Sequence, residues 1–287
     1  MELELKTEYW HDSQAREAFK TFILNIHGLD FTEWEAQGYW DQVYTPFSYF
    51  KDGKIISSVC IYLLDAVIAG RSTRLIQISG VGTHPDWRRQ GLSRELTELG
   101  LEWARGQHEG VFLFADTPAI PYYQACGFTP LKEYLEVIYG IPTETRPGAI
   151  QLDPMLKDQQ DKIFEYAQGR VPLSDRFSIN NPKLFMFYIL YFLKNNIYEI
   201  KELGCLVCYK REGNTLSIYD IVAEEIPSFE DLYPYIAVET DHKIKFHFHT
   251  DKLGLRNVER ERIEHNHAFT RGNFPVNDPV FPYTSRA

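Results

Sequence analysis

One stretch constrains the fold more than any other: Val81-Gly82-Thr83-His84-Pro85-Asp86-Trp87-Arg88-Arg89-Gln90-Gly91-Leu92-Ser93-Arg94-Glu95-Leu96. An apolar run enters Pro85, a basic turn with one glycine follows, and Leu92, Leu96, Leu99 and Trp103 then share one helical face. A strand, a basic turn and an amphipathic helix in that order require a mixed α/β layer. The first N–H groups of a helix have no partner inside it and point outward. The helix dipole adds positive potential there, so Arg88, Arg89 and Arg94 around Gly91 predict an anion site of pyrophosphate size. Gly91 has no Cβ to hold a phosphate away from the backbone. The spacing is neither a Walker loop nor a three-glycine dinucleotide fingerprint.

The rest of the chain sets the frame for that motif. Its 287 residues suggest two domains, and 44% hydrophobic residues are enough to build real cores. The longest apolar run, Leu184 to Leu193, falls well short of the roughly 18 residues of a membrane span and reads as core or as a homo-oligomer contact. The N-terminal residues show no signal-peptide pattern, and four cysteines do not make a disulfide scaffold. The expectation is therefore a cytoplasmic protein without membrane attachment. A net charge of −10 argues against a nucleic-acid partner.

The charge is unevenly spread. No Lys or Arg occurs between Lys20 and Lys51, while Asp30, Glu33, Glu35 and Asp41 alternate there with Phe31, Trp34, Tyr39, Trp40 and Tyr44. This acidic and aromatic stretch, set against the basic turn, suggests two ligand ends of opposite sign.

Element by element, Asp12 caps a helix with Ala15, Phe19, Phe22, Ile23 and Ile26 on its apolar face, and Thr32-Glu33-Trp34-Glu35 has capping-box form. Asp52-Gly53 is a turn, Ile55 to Leu64 and Arg74 to Thr83 are antiparallel strands, and Val111 to Ala115 is a buried strand. A short helix from about Pro118 ends at Gly127, and Leu131 to Tyr139 is the last strand of the first domain. A linker spans Ile141 to Gly148. Beyond it come a helix at Asp158 to Gln168 and an apolar helix from Pro182 to Asn195. A hairpin around Glu212-Gly213-Asn214, a helix capped by Ser228 and a strand from Lys243 to His249 complete the second domain. This hairpin–helix–strand order echoes the first domain. The last residues, 265 to 287, read as an aromatic-anchored tail.

The basic loop and a second motif together resemble the GCN5-related N-acetyltransferases (GNAT). Arg88-Arg89-Gln90-Gly91-Leu92-Ser93 is similar to the family's Arg/Gln-x-x-Gly-x-Gly/Ala signature, with Ser93 in the last place. Asp116-Thr117-Pro118-Ala119-Ile120-Pro121-Tyr122-Tyr123-Gln124-Ala125-Cys126-Gly127-Phe128 is similar to its Asn-x-x-Ala-x-x-Phe-Tyr-x-x-x-Gly-Phe, with Asp116 replacing the Asn. The double arginine and the long C-terminal part resemble the enhanced-intracellular-survival (Eis-like) tandem branch, in which a degenerate second copy follows the active domain. That branch's further sterol-carrier-like domain finds no room here unless much reduced.

The resemblance implies a mixed α/β GNAT domain over residues 1–145 and a degenerate GNAT-like domain over 150–287. It implies acetyl-CoA as co-substrate, an amine acceptor and direct attack on the thioester. Val81, Gly82, Thr83, Arg88, Arg89, Gln90, Gly91, Leu92, Ser93, Arg94 and Asp116 would hold acetyl-CoA. Tyr123 would protonate the leaving thiolate, and the terminal carboxylate at Ala287 would take the amine's proton. Because the first helices of this fold wall the acceptor site, Glu33, Trp34, Glu35, Trp40 and Asp41 become candidates to receive a cationic acceptor by charge and cation–π contact. Glu33, Glu35, His84 and Asp116 are further base candidates. A non-catalytic acyl-CoA-binding module on the same fold is the alternative, and an assembly protein with a vestigial first domain a third. No metal is expected. Cys205-Leu206-Val207-Cys208 places its cysteines on opposite strand faces. His247, His249, His265 and His267 suggest no defined ligand geometry.

Overall fold

The computed structural model describes residues 3–140, 144–264 and 267–287. Strand β1 (Glu4–Thr7) leads into helices α1 (Ser13–His27) and α2 (Thr32–Ala36). Strands β2 (Tyr44–Lys51), β3 (Lys54–Ile68) and β4 (Arg71–Thr83) form a meander. Helix α3 (Leu92–Trp103) carries the chain to β5 (Gly110–Phe114), then α4 (Ile120–Ala125) and β6 (Thr129–Pro130). There follow β7 (Tyr134–Tyr139), β8 (Ala149–Gln151), α5 (Lys157–Gly169), β9 (Phe177–Ile179), α6 (Pro182–Tyr191), β10 (Ile197–Ile200), β11 (Cys205–Glu212) and β12 (Thr215–Ala223). Helix α7 (Phe229–Ile236) and strands β13 (Lys243–Phe246), β14 (Glu259–Arg262) and β15 (Ala268–Arg271) complete the fold.

The strands make two mixed sheets. The first runs β1-β2-β3-β4-β5-β15-β6, with β9 added at the far end of β3; the second runs β14-β7-β13-β12-β11-β10-β8. The α/β expectation holds, but the sheets exchange strands. β7, read from sequence as the last strand of the first sheet, pairs with β13 and β14 of the second. β15, read as part of the irregular tail, enters the first sheet between β5 and β6. Both exchanges rest on pairings more than 100 residues apart, which local pattern cannot register.

Local signals explain several elements. Asp12 Oδ1 accepts from the Ala15 N–H, and Gly28, at φ +70°, closes α1 by donating to Leu24 O. Asn181 Oδ1 accepts from the N–H groups of Lys183 and Leu184, with Pro182 in the first turn of α6. Ser228 caps α7 as expected. Other expectations need correction. Thr32 makes no capping box: Phe31 is the N-cap, and Asp30 holds the Thr32 N–H instead. The segment Tyr44–Lys51, for which no element was expected, is strand β2, buried along most of its length. Helix α6 ends at Tyr191, four residues before the expected Asn195.

Helices α3 and α4 cover one face of the first sheet. Its other face shares a core with α1, α6 and the inner face of the second sheet, in which Phe19, Phe31, Phe112, Phe185, Phe281 and Cys208 are all buried. Helix α7 covers the outer face of the second sheet, where Cys205 packs. The two cysteines thus lie in different cores, and burial pushes the Cys205 thiol up to about 12. Among the described residues no helix is long and apolar enough to cross a membrane. The linker residues Ile141–Thr143 and His265 lie outside the described residues. His249, His247 and His267 occupy separate settings: His249 on Glu136, His247 against Tyr219, and His267 on the carbonyl of Ala115.

Candidate active site

The site is built where two parallel strands part. β4 and β5 pair only from Leu75–Gly110 to Ile78–Leu113. Beyond that, Ser79 to Thr83 continues against β3 alone, while the chain past Phe114 turns away toward α4. The gap opens a cavity of about 200 Å³. At its edge β4 carries an extra residue: Cys60 faces Ser79 and Ser58 faces Gly82, so three steps on β4 answer two on β3. Such a bulge leaves a backbone polar pair outside the ladder and re-aims it. Gly80 sits in this bulge at φ +56°, and a Cβ there would lie 3.0 Å from the Tyr44 hydroxyl and 3.1 Å from Cys60 Sγ. Ser79, Gly80 and Val81 line the cavity. Gly82 and Thr83 lie beyond it. A Cβ on Gly82 would strike Ile26 at 2.8 Å, and the Thr83 hydroxyl meets Ser57.

The basic loop follows directly. His84 caps a short 3₁₀ turn over Pro85–Trp87, and Arg88 Nε donates to Thr83 O at 3.2 Å. Arg89 has φ +63° and Gly91 φ +84°, so the backbone bends sharply into α3. Gly91 is the N-cap, and no side chain bonds to the first amides of the helix. A Cβ at Gly91 would meet nothing within 4 Å, so the space in front of those amides is open. Arg89 and Arg94 form no ion pair among the described residues. An uncapped helix N-terminus with free guanidinium groups beside it is a site for an anion. Leu92, Ser93 and Arg94 form the first turn of α3, with Gln90 exposed before it. The Ser93 and Thr97 hydroxyls face the Tyr122 phenol.

Across the gap, α4 carries two adjacent tyrosines with different surroundings. Tyr123 lines the cavity. Tyr122 does not; it packs edge-on against Tyr123 at 5.0 Å and points toward α3. Burial pushes the Tyr123 phenol well above its ordinary value, and the nearby Tyr122 and Asp116 add to this. It therefore holds its proton at neutral pH and can donate it. Asp116, at the end of β5, also lines the cavity.

The last residue of the sequence reaches the same place. Ala287 lines the cavity, and Gln77 on β4 donates to its oxygen. The tail is held along its length. Phe281 packs against Phe112 at 4.9 Å and Phe177 at 5.3 Å. Thr284 donates to Asp220, Ser285 to Ile179 O, Tyr188 to Arg286 O, and Arg286 to Glu133. Aromatic anchors and side-chain bonds leave its end little freedom.

The remaining wall differs from the expected acidic surface. Glu35 is bound by Arg16 and Lys20 of α1. Burial acts to raise its carboxyl, and the two cations outweigh it and hold it below the usual range. Asp41 pairs with Lys183 Nζ of α6 at 2.6 Å. Glu33 is half-buried and accepts from Gln37. Trp40 packs on Phe19 beneath Arg16 and does not line the cavity. Glu35, Asp41 and Trp40, expected as acceptor contacts, thus lie off the cavity wall, and both carboxylates face cations remote in sequence. Trp34 does line the cavity, but it is buried and its Nε1–H donates to Lys183 O at 2.8 Å. His84 is not part of the cavity wall.

One residue escaped the sequence reading. His27, in the last turn of α1, stands on the cavity rim with Asp116. Desolvation lowers its pKa, and the Asp116 charge only partly opposes this, so the ring is neutral at neutral pH. A histidine at a helix C-terminus ordinarily complements the dipole, so nothing in the sequence set it apart.

The acetyltransferase (GNAT) family model matches residues 4–128. Over most of its length the chain is similar in fold to a conserved protein of Enterococcus faecalis V583 (TM-score 0.61, 14% identity, 99% of this chain and 74% of that one). It is likewise similar to Eis1 from Mycobacterium abscessus (0.57, 16%, 94% and 73%). A GCN5-related N-acetyltransferase from Anabaena variabilis is similar at 0.54 (14%, 93% and 72%). No curated protein sequence matches the chain.

Proposed function

Proceeding from a GNAT-family acetyltransferase domain in a chain that shares its two-sheet fold with an Eis protein, we propose that this enzyme transfers the acetyl group of acetyl-CoA to a primary amine by direct attack on the thioester. The pyrophosphate lies against the open N-terminus of α3, flanked by Arg88, Arg89 and Arg94. The pantetheine arm runs along the edge that β4 exposes where β5 leaves it. A β4 N–H near the bulge polarises the thioester carbonyl, a donor that in a dry site is worth roughly 3 kcal/mol.

In becoming an amide the ammonium nitrogen gives up two protons, and the leaving sulfur takes one. The incoming amine is an ammonium ion at neutral pH and must lose one before its lone pair can attack. The Ala287 carboxylate accepts it, at the cavity wall fixed by Gln77. The amine nitrogen bonds to the carbonyl carbon, the C–S bond breaks, the leaving thiolate takes the Tyr123 proton, and the second proton shed by the nitrogen restores the phenol. Tyr123 is placed for this task because its neutral phenol lines the same cavity. His27 and Asp116 stand on the rim, where they can pass protons to water. Four free, buried cysteines fit a reducing, cytoplasmic setting.

The observation that carries this reading is the meeting of three features at one cavity: the edge of β4 left unpaired among the described residues, the Tyr123 phenol and Ala287. The test gives purified protein acetyl-CoA with and without amines and follows free CoA thiol. Amine-dependent release supports acetyl transfer. Tight acetyl-CoA binding with no release for any amine would instead mark a non-catalytic binding module.

A further inference from the structure

The acceptor end of the cavity is a ring of buried aromatic side chains. Phe31, Trp34, Tyr44, Tyr62 and Phe187 line it, each less than 10% exposed. They meet edge to face: Phe31 and Trp34 at 5.3 Å, Trp34 and Phe187 at 5.6 Å, and Tyr44 and Tyr62 at 5.1 Å. Trp34 is pinned through its Nε1–H to Lys183 O, and its backbone N–H to the Tyr191 hydroxyl. The second half of the chain therefore completes this wall with Phe187 and Leu184 of α6.

Charge is scarce there. Asp116 is the one side-chain carboxylate among the described residues that line the cavity. Glu35 and Asp41 are paired with Arg16, Lys20 and Lys183. Burial also holds the Tyr44 and Tyr62 phenols well above their ordinary values, so neither supplies a negative charge. A second or third ammonium group entering this space would lose its hydration without a counter-ion, which is strongly unfavourable. Size points the same way. A dry apolar cavity of about 150 Å³ takes a benzene ring. The whole cavity here, reacting centre included, measures about 200 Å³, which suits one small ring and leaves no space for a large polyamine or aminoglycoside.

We propose that the acceptor is an aromatic monoamine: a single ring seated among Phe31, Trp34 and Phe187, with a short alkyl arm that delivers one amine to the end bounded by Asp116, Tyr123 and Ala287. This deepens the acetyltransferase reading and rests on it. It narrows the cationic acceptor expected from the acidic stretch to one that carries a single charge. The geometry also assigns the second half of the chain a direct part in specificity, because α6 sets the depth of the pocket.

The experiment uses the full chain, acetyl-CoA and four amines: 2-phenylethylamine, ethylamine, spermidine and kanamycin, with thiol release as the readout. The expected order places 2-phenylethylamine roughly tenfold or more above each of the others in kcat/KM. A variant that fills the pocket, Leu184→Phe, should lower the ratio of kcat/KM for 2-phenylethylamine to that for ethylamine about tenfold or more, a change in ratio that simple misfolding would not give, and an unchanged ratio overturns the aromatic seat. Faster turnover of spermidine or kanamycin than of 2-phenylethylamine overturns the aromatic acceptor and leaves acetyl transfer standing. Equal turnover of 2-phenylethylamine and ethylamine also overturns it. Absence of amine-dependent release with all four overturns the acetyltransferase reading as well.

Discussion

Changing Glu35 to Gln tests whether this carboxylate serves the fold or the substrate. Its side chain is 10% exposed and lies between Arg16, 36% exposed, and Lys20, 13% exposed. The substitution leaves the shape nearly unchanged and removes the charge that both cations answer. Removing one member of a fully buried ion pair costs about 3–5 kcal/mol. An exposed pair is worth about 0–1 kcal/mol. With Arg16 half open to water, this site falls between the two, at about 2 kcal/mol. For a chain of this size that corresponds to a fall in Tm of roughly 4–8 °C. The pH dependence has a definite sign. The folded carboxyl is held below its unfolded value, so the stabilisation is full above the ordinary glutamate range and fades as pH falls through the lowered value. The Tm gap between wild type and E35Q should therefore be wide at neutral pH and shrink on acidification below about pH 4. Melts at both pH values, with KM for the amine measured on the same samples, provide the assay. Equal melting temperatures together with a KM raised about tenfold would refute the structural role, because a carboxylate free to bind substrate has that profile.

Three other substitutions probe separate parts of the account. Tyr123→Phe should lower kcat by about 100-fold with KM for acetyl-CoA within about threefold, because the buried ring stays and only the proton donor goes; steady-state thiol release reads this, and an unchanged kcat would exclude Tyr123 as the acid. Gly91→Ala places a Cβ at φ +84°, at a backbone cost of about 1–2 kcal/mol, and narrows the approach to the α3 amides. It should raise KM for acetyl-CoA about tenfold with little change in KM for the amine, the difference arising because the two ligands enter from opposite ends. Glu136→Gln breaks a buried cluster in which Val280 N–H donates to His249 Nε2, so that His249 Nδ1–H and Thr250 donate to the carboxylate. Burial opposes the charge, but these bonds outweigh it and hold the carboxyl at about 2. The loss should be about 3 kcal/mol at neutral pH, and the wild-type advantage should persist until pH falls toward that value; thermal melts across pH check it.

What the sequence disclosed follows contiguity. The anion loop was legible because Arg88, Arg89, Gly91 and Arg94 are neighbours and the helix that follows has a plain period. Asp12, Pro182 and Ser228 revealed their helices by cap chemistry, which is local. The wall of the acceptor pocket was not legible, since Trp34 takes its orientation from Lys183, 149 residues away. The charge gap between Lys20 and Lys51 misled for the same reason: the cations that answer Glu35 and Asp41 come from α1 and α6, outside the gap. Strands β7 and β15 were misplaced because a strand's own pattern records which face is buried but not which sheet it joins. The tail resisted reading in detail, although its aromatic residues did signal that it is anchored, and Phe281 is buried among Phe112, Phe114 and Phe177.

The central claim is that a thioester and an amine meet between the parted ends of β4 and β5 and exchange an acetyl group directly. The most direct test is a single-turnover reaction of the enzyme with acetyl-CoA and 2-phenylethylamine, in which N-acetylated amine is measured by mass spectrometry and CoA thiol by reagent. The account predicts one acetylated amine for each thiol released, with no acetyl group left on the protein. Thiol release without acetylated amine, or an acetyl group carried on a protein side chain, would contradict it.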